Sequence, residues 1–381
     1  THFINHDILP VVPSQGSVGA SGDLAPLSHI ALALMGEGLV SFQDKIMTAQ
    51  EALTATKGKV YQPAPKEGLS LINGTQVSTA LAMVAVLAAR TLMNQADEIA
   101  ALSVEASLSS RAVFAPEIHS LKAHGGQQET ARRIYDLLAG SEIVASHADC
   151  DRTQDPYSIR CVPHVHGASR DTLEFVESVI LAEANSVSDN PLILPDGRIV
   201  SSGHFHGESV AQAMDALAVA MSEIGAISER RIHYFMKGID DKIPPFLTPT
   251  PGLESGLMLA HVTATALASE NKTLSHPASV DSLPSSGGQE DLVSMAPWAA
   301  RKTTMILDNV RRIIAIELLT GLRAIQSFLP GLATGQGTGK IIQRVSDIID
   351  LPSHEFSPGP VIEELERLLI NHSELAVGHS V

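Results

Sequence analysis

Apolar residues recur along most of the chain at the three- and four-residue spacing of helices, and Gly, Pro and Asn separate these stretches. The spacing predicts helices over residues 24–38, 75–93, 171–185, 209–231, 256–272, 295–325 and 363–370. Residues 192–194 and 198–201 predict one small hairpin, and no strand-rich block is expected. Several predicted helices approach or exceed twenty residues and are apolar on most faces, so they need partners on several sides. The pattern predicts an all-α protein with a long central helix bundle, assembled between subunits.

We expect a single helical body over residues 1–381. Its parts are a glycine-rich loop at 15–23, central helices over about 75–330 and C-terminal helices over about 338–375. Because the chain begins with Thr1 rather than Met, we expect either processing or an omitted upstream segment.

Composition narrows the class of protein. Lys and Arg number 26 against 42 Asp and Glu, and this net charge of −16 disfavours binding to nucleic acid or to an anionic membrane. Charged residues make up only 18% and hydrophobic residues 44%, which excludes a disordered chain. Two cysteines suit a reducing compartment, and the apolar run at 80–89 is too short to span a bilayer. We expect a soluble, acidic, cytoplasmic protein.

The glycine-rich loop at residues 15–23 reads QGSVGASGD and has three interpretations. It can be a flexible turn, with Asp23 capping the helix that starts at Leu24. A phosphate cradle is a weaker interpretation, because the glycine spacing differs from that of a P-loop and no Lys follows.

The third interpretation is chemical and depends on Ala20, Ser21 and Gly22. If the Gly22 nitrogen attacks the Ala20 carbonyl carbon, a five-membered ring closes, and loss of two waters leaves an exocyclic methylene at residue 21. The product, a methylidene-imidazolone, is an electrophile that no ordinary side chain provides. Gly22 lets the backbone fold back without a Cβ, and Ser21 has the β-hydroxyl that is eliminated.

Residues 16–27, which read GSVGASGDLAPL, resemble the characteristic motif of the aromatic amino acid ammonia-lyases, and most closely that of their histidine-specific members. Further motifs follow in family order: LINGTQ at 71–76, QDPYSIRC at 154–161, EANSVSDNP at 183–191, FHGE at 205–208, HPASVDS at 276–282 and QED at 289–291. The resemblance covers nearly the whole chain. It implies an ammonia-lyase/fumarase-like helix bundle, a homotetramer, and a 4-methylidene-imidazol-5-one formed from residues 20–22 without an external cofactor.

The implied reaction is the non-oxidative removal of ammonia from an L-amino acid, giving trans-urocanate when the substrate is histidine. Arg160 is the expected clamp for the substrate carboxylate, because a guanidinium binds a carboxylate through two hydrogen bonds. Tyr157, three residues earlier, would share a face with Arg160 and act as an acid/base or orienting group. Asn73 and Gln154 are expected amide donors to substrate or prosthetic group, and Phe205 an aromatic wall beside the methylene.

Glu290 discriminates best between substrates. The family's phenylalanine and tyrosine enzymes tend to carry Asn-Gln-Asp where this chain has Gln289, Glu290 and Asp291. A carboxylate there can accept an imidazole N–H or take the β-proton, and a phenyl ring offers no such N–H. An exposed, solvated Glu290 is the alternative.

Other interpretations stay open. His204 and His206 could face one way on a strand like zinc ligands, but no third ligand has a matching spacing, so no metal is expected. The family's upstream catalytic tyrosine and substrate-selecting histidine are absent from this chain. The rival functions are a tyrosine or phenylalanine ammonia-lyase or 2,3-aminomutase, and an inactive helical scaffold or partner subunit.

Overall fold

The computed structural model describes residues 1–148, 150–352, 354–372 and 375. Most of these residues are helical, as predicted. The α-helices are His2–Asn5, Leu24–Leu34, Ala49–Ala55, Glu67–Ile72, Gln76–Ala106, Pro116–His119, Gly125–Leu137, Glu142–Ala145, Tyr157–Arg160, Val162–Ala184, Glu208–Met236, Met258–Leu274, Ala296–Phe328, Gln336–Ser346 and Pro358–Asn371. Short 3-10 helices are Ala112–Phe114, Pro245–Leu247 and Ser286–Gly288.

Among the described residues, two small antiparallel sheets accompany the helices. Strands Leu192–Ile193 and Ile199–Val200 form the predicted hairpin. Strands Leu9–Pro10, Leu39–Phe42 and Lys45–Thr48 form a second sheet that the sequence did not predict. These strands have only two to four residues, too few to show an alternating pattern. The all-α prediction is therefore correct for most of the chain and wrong for the three strands at 9–10, 39–42 and 45–48, whereas the helix predicted to begin at Leu24 is present.

The predicted helices are present, but several boundaries differ. The helix expected to end at residue 93 continues to Ala106 and includes buried polar residues such as Asp97 and Glu105. Asp97 accepts hydrogen bonds from His166 at 2.8 Å and Arg170 at 2.6 Å, which stabilise its buried charge. Buried polar residues whose charge or hydrogen-bonding groups have partners interrupt the apolar pattern of the helix. A prediction from hydrophobic periodicity alone therefore placed the end of this helix too early.

The chain forms two compact units, each assembled from separate segments. The first, the loop unit, consists of Thr1–Val84, Glu177–Asp215 and Pro277–Arg301. The second, the helical unit, consists of Ala85–Val176, Ala216–His276 and Lys302–Val381. The expectation of a single body stays a prediction, and its residues 149, 353, 373–374 and 376–381 lie outside the described residues.

Each unit has its own apolar core. In the loop unit, Ile8, Ala33, Val40, Phe42, Ala49 and Ala52 pack where the three-stranded sheet meets neighbouring helices. In the helical unit a larger cluster includes Phe114, Ile134 and Ile159. Ile159 belongs to the short Tyr157–Arg160 helix, so this core fixes the segment that carries two predicted site residues.

Two helical stretches within the described residues have the length and apolar composition of a membrane span, contrary to the expectation from the run at 80–89. They are Glu67–Ala106 and Glu208–Met236. The most apolar 18-residue segment is 44% buried inside the protein in the first stretch and 67% buried in the second. Core helices of soluble proteins meet the same criterion, so the finding is weak support for a membrane span.

Candidate active site

The turn formed by Ala20, Ser21 and Gly22 has an unusual backbone. Ser21 has a φ of +52° and Gly22 a φ of +77°, both in the left-handed region. A Cβ at residue 22 would lie 2.3 Å from the carbonyl oxygen of Gly74, so only glycine fits there. The residues present therefore fit a backbone that folds back on itself, as the cyclisation requires.

Segments distant in sequence hold this turn from two sides. The Asp23 N–H donates to the Gly74 carbonyl oxygen at 2.8 Å. On the other side, the Met295 N–H donates to the Val18 carbonyl oxygen at 2.9 Å. These bonds connect both ends of the loop to segments that are distant in sequence.

Asp23 occupies the predicted N-cap position of the Leu24–Leu34 helix, but its side chain makes no capping bond to that helix. Instead, its carboxylate accepts from the Ser78 N–H at 2.7 Å and the Ser78 hydroxyl at 2.8 Å. Ser78 lies in the first turn of Gln76–Ala106, where backbone N–H groups lack helical partners. Burial raises the pKa of Asp23, and the bonds from Ser78 and Ser17 oppose that rise.

Glu290 lies beside the turn. Its Oε1 accepts a hydrogen bond from the Ser21 hydroxyl at 2.6 Å. Its Oε2 accepts from the hydroxyls of Ser285 at 2.7 Å and Ser286 at 2.5 Å. Hydrogen bonds from these three hydroxyls lower the pKa of the Glu290 carboxyl, and the bond from Ser21 has the largest effect. Glu290 is therefore ionised at neutral pH. This geometry disagrees with a merely solvated surface glutamate.

Asn73 and Phe205 also belong to the loop unit. Asn73 is buried, and its Nδ2 donates to the Asn190 carbonyl oxygen at 2.7 Å, which leaves one amide hydrogen for another acceptor. Phe205 is half-buried in a turn rather than on a strand, and the adjacent His206 Nε2 lies 3.3 Å from the Leu292 carbonyl oxygen. His204 pairs with Ser202, and the described residues contain no group of three or more metal-ligating side chains.

Gln154, Tyr157 and Arg160 lie in the helical unit. Arg160 Nη2 donates to Gln154 Oε1 at 2.7 Å, and the guanidinium lies 4.6 Å from the centre of the Tyr157 ring. Tyr157 and Arg160 therefore share a face, as their spacing predicts, and Tyr157 is 71% exposed rather than buried. Gln154 and Arg160 line a cavity of about 490 Å³, and the buried Arg160 Nε makes no hydrogen bond to the described residues.

Sequence reasoning missed the residues that hold these side chains in place. Ser285 and Ser286 were not singled out, although two serines before a Gly-Gly pair indicate a turn that can bring a hydroxyl back to Glu290. Arg152 was also missed. It donates to Asp155 and Tyr234 and pairs with Asp240, which anchors the segment before Tyr157.

Known proteins are similar to this chain in both sequence and structure. The family model described as aromatic amino acid lyase matches residues 1–347. A histidine ammonia-lyase of Burkholderia lata is 51% identical over 329 residues, which cover 86% of this chain and 65% of that protein. This chain thus spans about two thirds of the length of that relative.

Solved structures agree with the sequence matches. Histidine ammonia-lyase from Trypanosoma cruzi has a TM-score of 0.89 and 40% identity, covering 97% of this chain and 71% of that one. Tyrosine aminomutase from Streptomyces globisporus has a TM-score of 0.90 and 32% identity, and the match covers 97% of this chain and 73% of the aminomutase chain. Since the family match extends over most of the chain and includes the 20–22 turn, the residues at 154–160 and Glu290, the chain belongs to the aromatic amino acid lyase family.

Proposed function

We propose that this chain carries the active-site residues of an enzyme that removes ammonia from L-histidine to give trans-urocanate. The observation that carries the proposal is the Glu290 carboxylate, 2.6 Å from the hydroxyl of Ser21 in a strained turn that only glycine can complete at residue 22. Strained backbone that distant segments hold in place is a common feature of active sites.

The proposed prosthetic group is 4-methylidene-imidazol-5-one, formed from Ala20, Ser21 and Gly22 with no external cofactor. When formed, this group supplies an electrophilic carbon that ordinary side chains lack. Its formation is favoured by proximity, because the contacts at Gly74 and Val18 hold both ends of the loop.

The remaining site residues bind and orient the substrate. Arg160, whose Nε makes no hydrogen bond to the described residues, binds the carboxylate, and Gln154 holds the guanidinium while keeping its own amide hydrogens for the substrate. Tyr157 is an acid/base or orienting group, Asn73 donates its second amide hydrogen, and Phe205 is an aromatic wall.

Glu290 selects the substrate. The Ser285 and Ser286 hydroxyls, which remain when Ser21 is converted, lower its pKa and keep Oε1 an acceptor at neutral pH, which suits an imidazole N–H better than a phenyl ring. Histidine is therefore preferred over tyrosine or phenylalanine.

We further propose a homotetramer in the cytoplasm, in which each active site draws on several subunits, so that its residues need not come from one copy. The two cysteines, neither of which is in a disulfide, support a reducing compartment. The partners are then the amino acid substrate and other copies of the chain, with no nucleic acid and no membrane.

The test is an assay of the full-length polypeptide with L-histidine, L-tyrosine and L-phenylalanine. We expect urocanate from histidine and little product from the others. A preference for tyrosine or phenylalanine would favour the rival lyase or aminomutase. Inactivity on all three would favour a helical scaffold.

A further inference from the structure

The two oxygens of the Glu290 carboxylate bind different parts of the chain. Oε1 accepts only from the Ser21 hydroxyl among the described hydrogen bonds, at 2.6 Å. Oε2 accepts from both Ser285 and Ser286, at 2.7 and 2.5 Å. The carboxylate is thus anchored through one oxygen and faces residue 21 with the other.

The backbone between the serines and Glu290 makes this anchor possible. Ser286, Gly287 and Gly288 have φ values of +50°, +67° and +88°, which reverse the chain direction. The Ser285 N–H donates to the Glu290 carbonyl oxygen at 2.9 Å and closes the turn. Both serine hydroxyls are therefore brought back to the carboxylate of the same short loop.

We propose that Ser285 and Ser286 are positioning residues for the reaction: their hydroxyls hold Glu290 Oε2 so that Oε1 faces residue 21 and the substrate. The inference rests on the proposed function. Conversion of Ser21 to the prosthetic group removes its hydroxyl, so Oε1 loses its donor while Oε2 keeps both of its own. Oε1 is then free to accept the imidazole N–H of the substrate.

The electrostatics agree with this division of roles. Hydrogen bonds from Ser21, Ser286 and Ser285 lower the pKa of Glu290, and slight burial opposes them. No ion pair to Glu290 occurs within the described part of the chain, so these hydroxyls provide the stabilisation of its charge. Once the Ser21 hydroxyl is lost, Ser285 and Ser286 are the donors that remain.

The first experiment replaces Ser285 and Ser286 by Ala, singly and together, in the full-length polypeptide. We expect kcat/KM on L-histidine to fall roughly tenfold per hydroxyl, as for lost bonds to a charged group, and the acidic limb of its pH profile to move to higher pH. Ser285→Thr keeps the hydroxyl, and the extended backbone at residue 285 accommodates a β-branched side chain, so this variant should keep a kcat/KM close to that of the wild type. Ser275→Ala, which removes a hydroxyl bonded to the Lys272 carbonyl, is the matched control.

The second experiment asks whether the serines act through Glu290. In a Glu290→Gln background, the serine substitutions should cause little further loss. The peptide containing residues 15–23 should still be two waters lighter than encoded in every serine variant. Full activity of the Ser285 and Ser286 double variant, with the acidic limb of its pH profile unchanged, would overturn the proposal. So would a loss of kcat/KM from the serine substitutions that is as large in the Glu290→Gln background as in the wild type. A full encoded mass in the wild-type peptide would instead overturn the proposed function, and this inference with it.

Discussion

At the scale of single residues, Ser21 and Gly22 combine left-handed backbone with close approach to Gly74. The left-handed conformation is costly for Ser21, although not for glycine, so it persists at residue 21 only where the surrounding structure holds it. Gly74 and Met295 provide that support through segments far from residue 21 in sequence. The strain is therefore stored at the residues that the proposed chemistry changes.

Gly22→Ala should prevent cyclisation and destabilise the protein, because the added Cβ would lie 2.3 Å from the Gly74 oxygen at a φ of +77°. Mass spectrometry of the 15–23 peptide and a denaturant titration provide the measurements. Gly68→Ala is the control, because a Cβ added at residue 68 would have no atom within 4 Å and the φ of Gly68 is not positive. A two-water mass loss in Gly22→Ala would contradict the proposed ring closure.

Glu290→Gln should lower turnover on histidine by roughly 100-fold or more, as for loss of an ionised group at the reaction site. Because the Ser285 and Ser286 hydroxyls still lower the pKa of Glu290 after the Ser21 hydroxyl is lost, wild-type activity should persist through neutral pH and fall as acid protonates the carboxylate. The Gln variant should lack that acidic limb and keep the two-water mass loss. An unchanged rate would remove Glu290 from the mechanism.

Arg160→Lys should raise the KM for histidine and lower kcat, because an ammonium cannot reproduce the two parallel bonds of a guanidinium. Steady-state kinetics measure both effects. Arg198→Lys, at an exposed hairpin, is the matched control. Full activity of Arg160→Lys would show that another group binds the substrate carboxylate.

At the scale of elements, the start of the Gln76–Ala106 helix and the glycine-rich loop stabilise each other. Asp23 satisfies the Ser78 N–H and hydroxyl at the helix N-terminus, and the Asp23 N–H donates to Gly74 just before it. A negative charge at this end of a helix is also favoured by the helix dipole. The loop is thus fixed by an element that begins more than fifty residues later.

Asp23→Ala should destabilise the fold by about 1–3 kcal/mol, because the buried Ser78 donors lose their acceptor. Chemical denaturation measures the change in the free energy of unfolding. Glu37→Ala, at an exposed carboxylate, should change it little. Equal stability of the two variants would argue against the capping role of Asp23.

At the scale of the whole molecule, long helices leave large apolar side chains exposed. On Gln76–Ala106, Met83, Val84 and Leu87 are 44%, 64% and 61% exposed, and on Met258–Leu274, Leu259 is 63% exposed. Leu87 lies four residues after Met83 and three after Val84, so these side chains share one face of their helix, and an exposed apolar face is typical of an interface. These faces support the proposed assembly between subunits.

Sedimentation velocity of the full-length polypeptide should give the mass of four copies. Leu87→Glu should shift the protein towards smaller species and reduce activity, because it places a charge in the expected interface. Leu121→Glu, at an 85% exposed position after a short helix, is the control. A wild-type monomer that is fully active would contradict the assembly.

The sequence by itself determined features that depend on neighbouring residues. Helical spacing located the long helices, and the Pro195–Gly197 turn located the hairpin. The order Ala20, Ser21, Gly22 predicts the cyclisation, which stays a prediction. Local backbone preferences act over a few residues, so they can be read directly from the chain. The short strands at 9–48 carried too little pattern to be recognised.

Only the tertiary structure decided which distant groups meet. Asp23 caps a helix that begins at Gln76 rather than its own, and Glu290 reaches Ser21 across 269 positions while Ser285 and Ser286 hold its other oxygen. The helix likewise continues past its predicted end with Asp97 buried inside it, because Arg170 pairs with the Asp97 carboxylate and His166 forms a hydrogen bond to it. Hydrogen bonds between distant segments depend on how the chain packs, and a linear pattern of residue types does not encode that pairing locally.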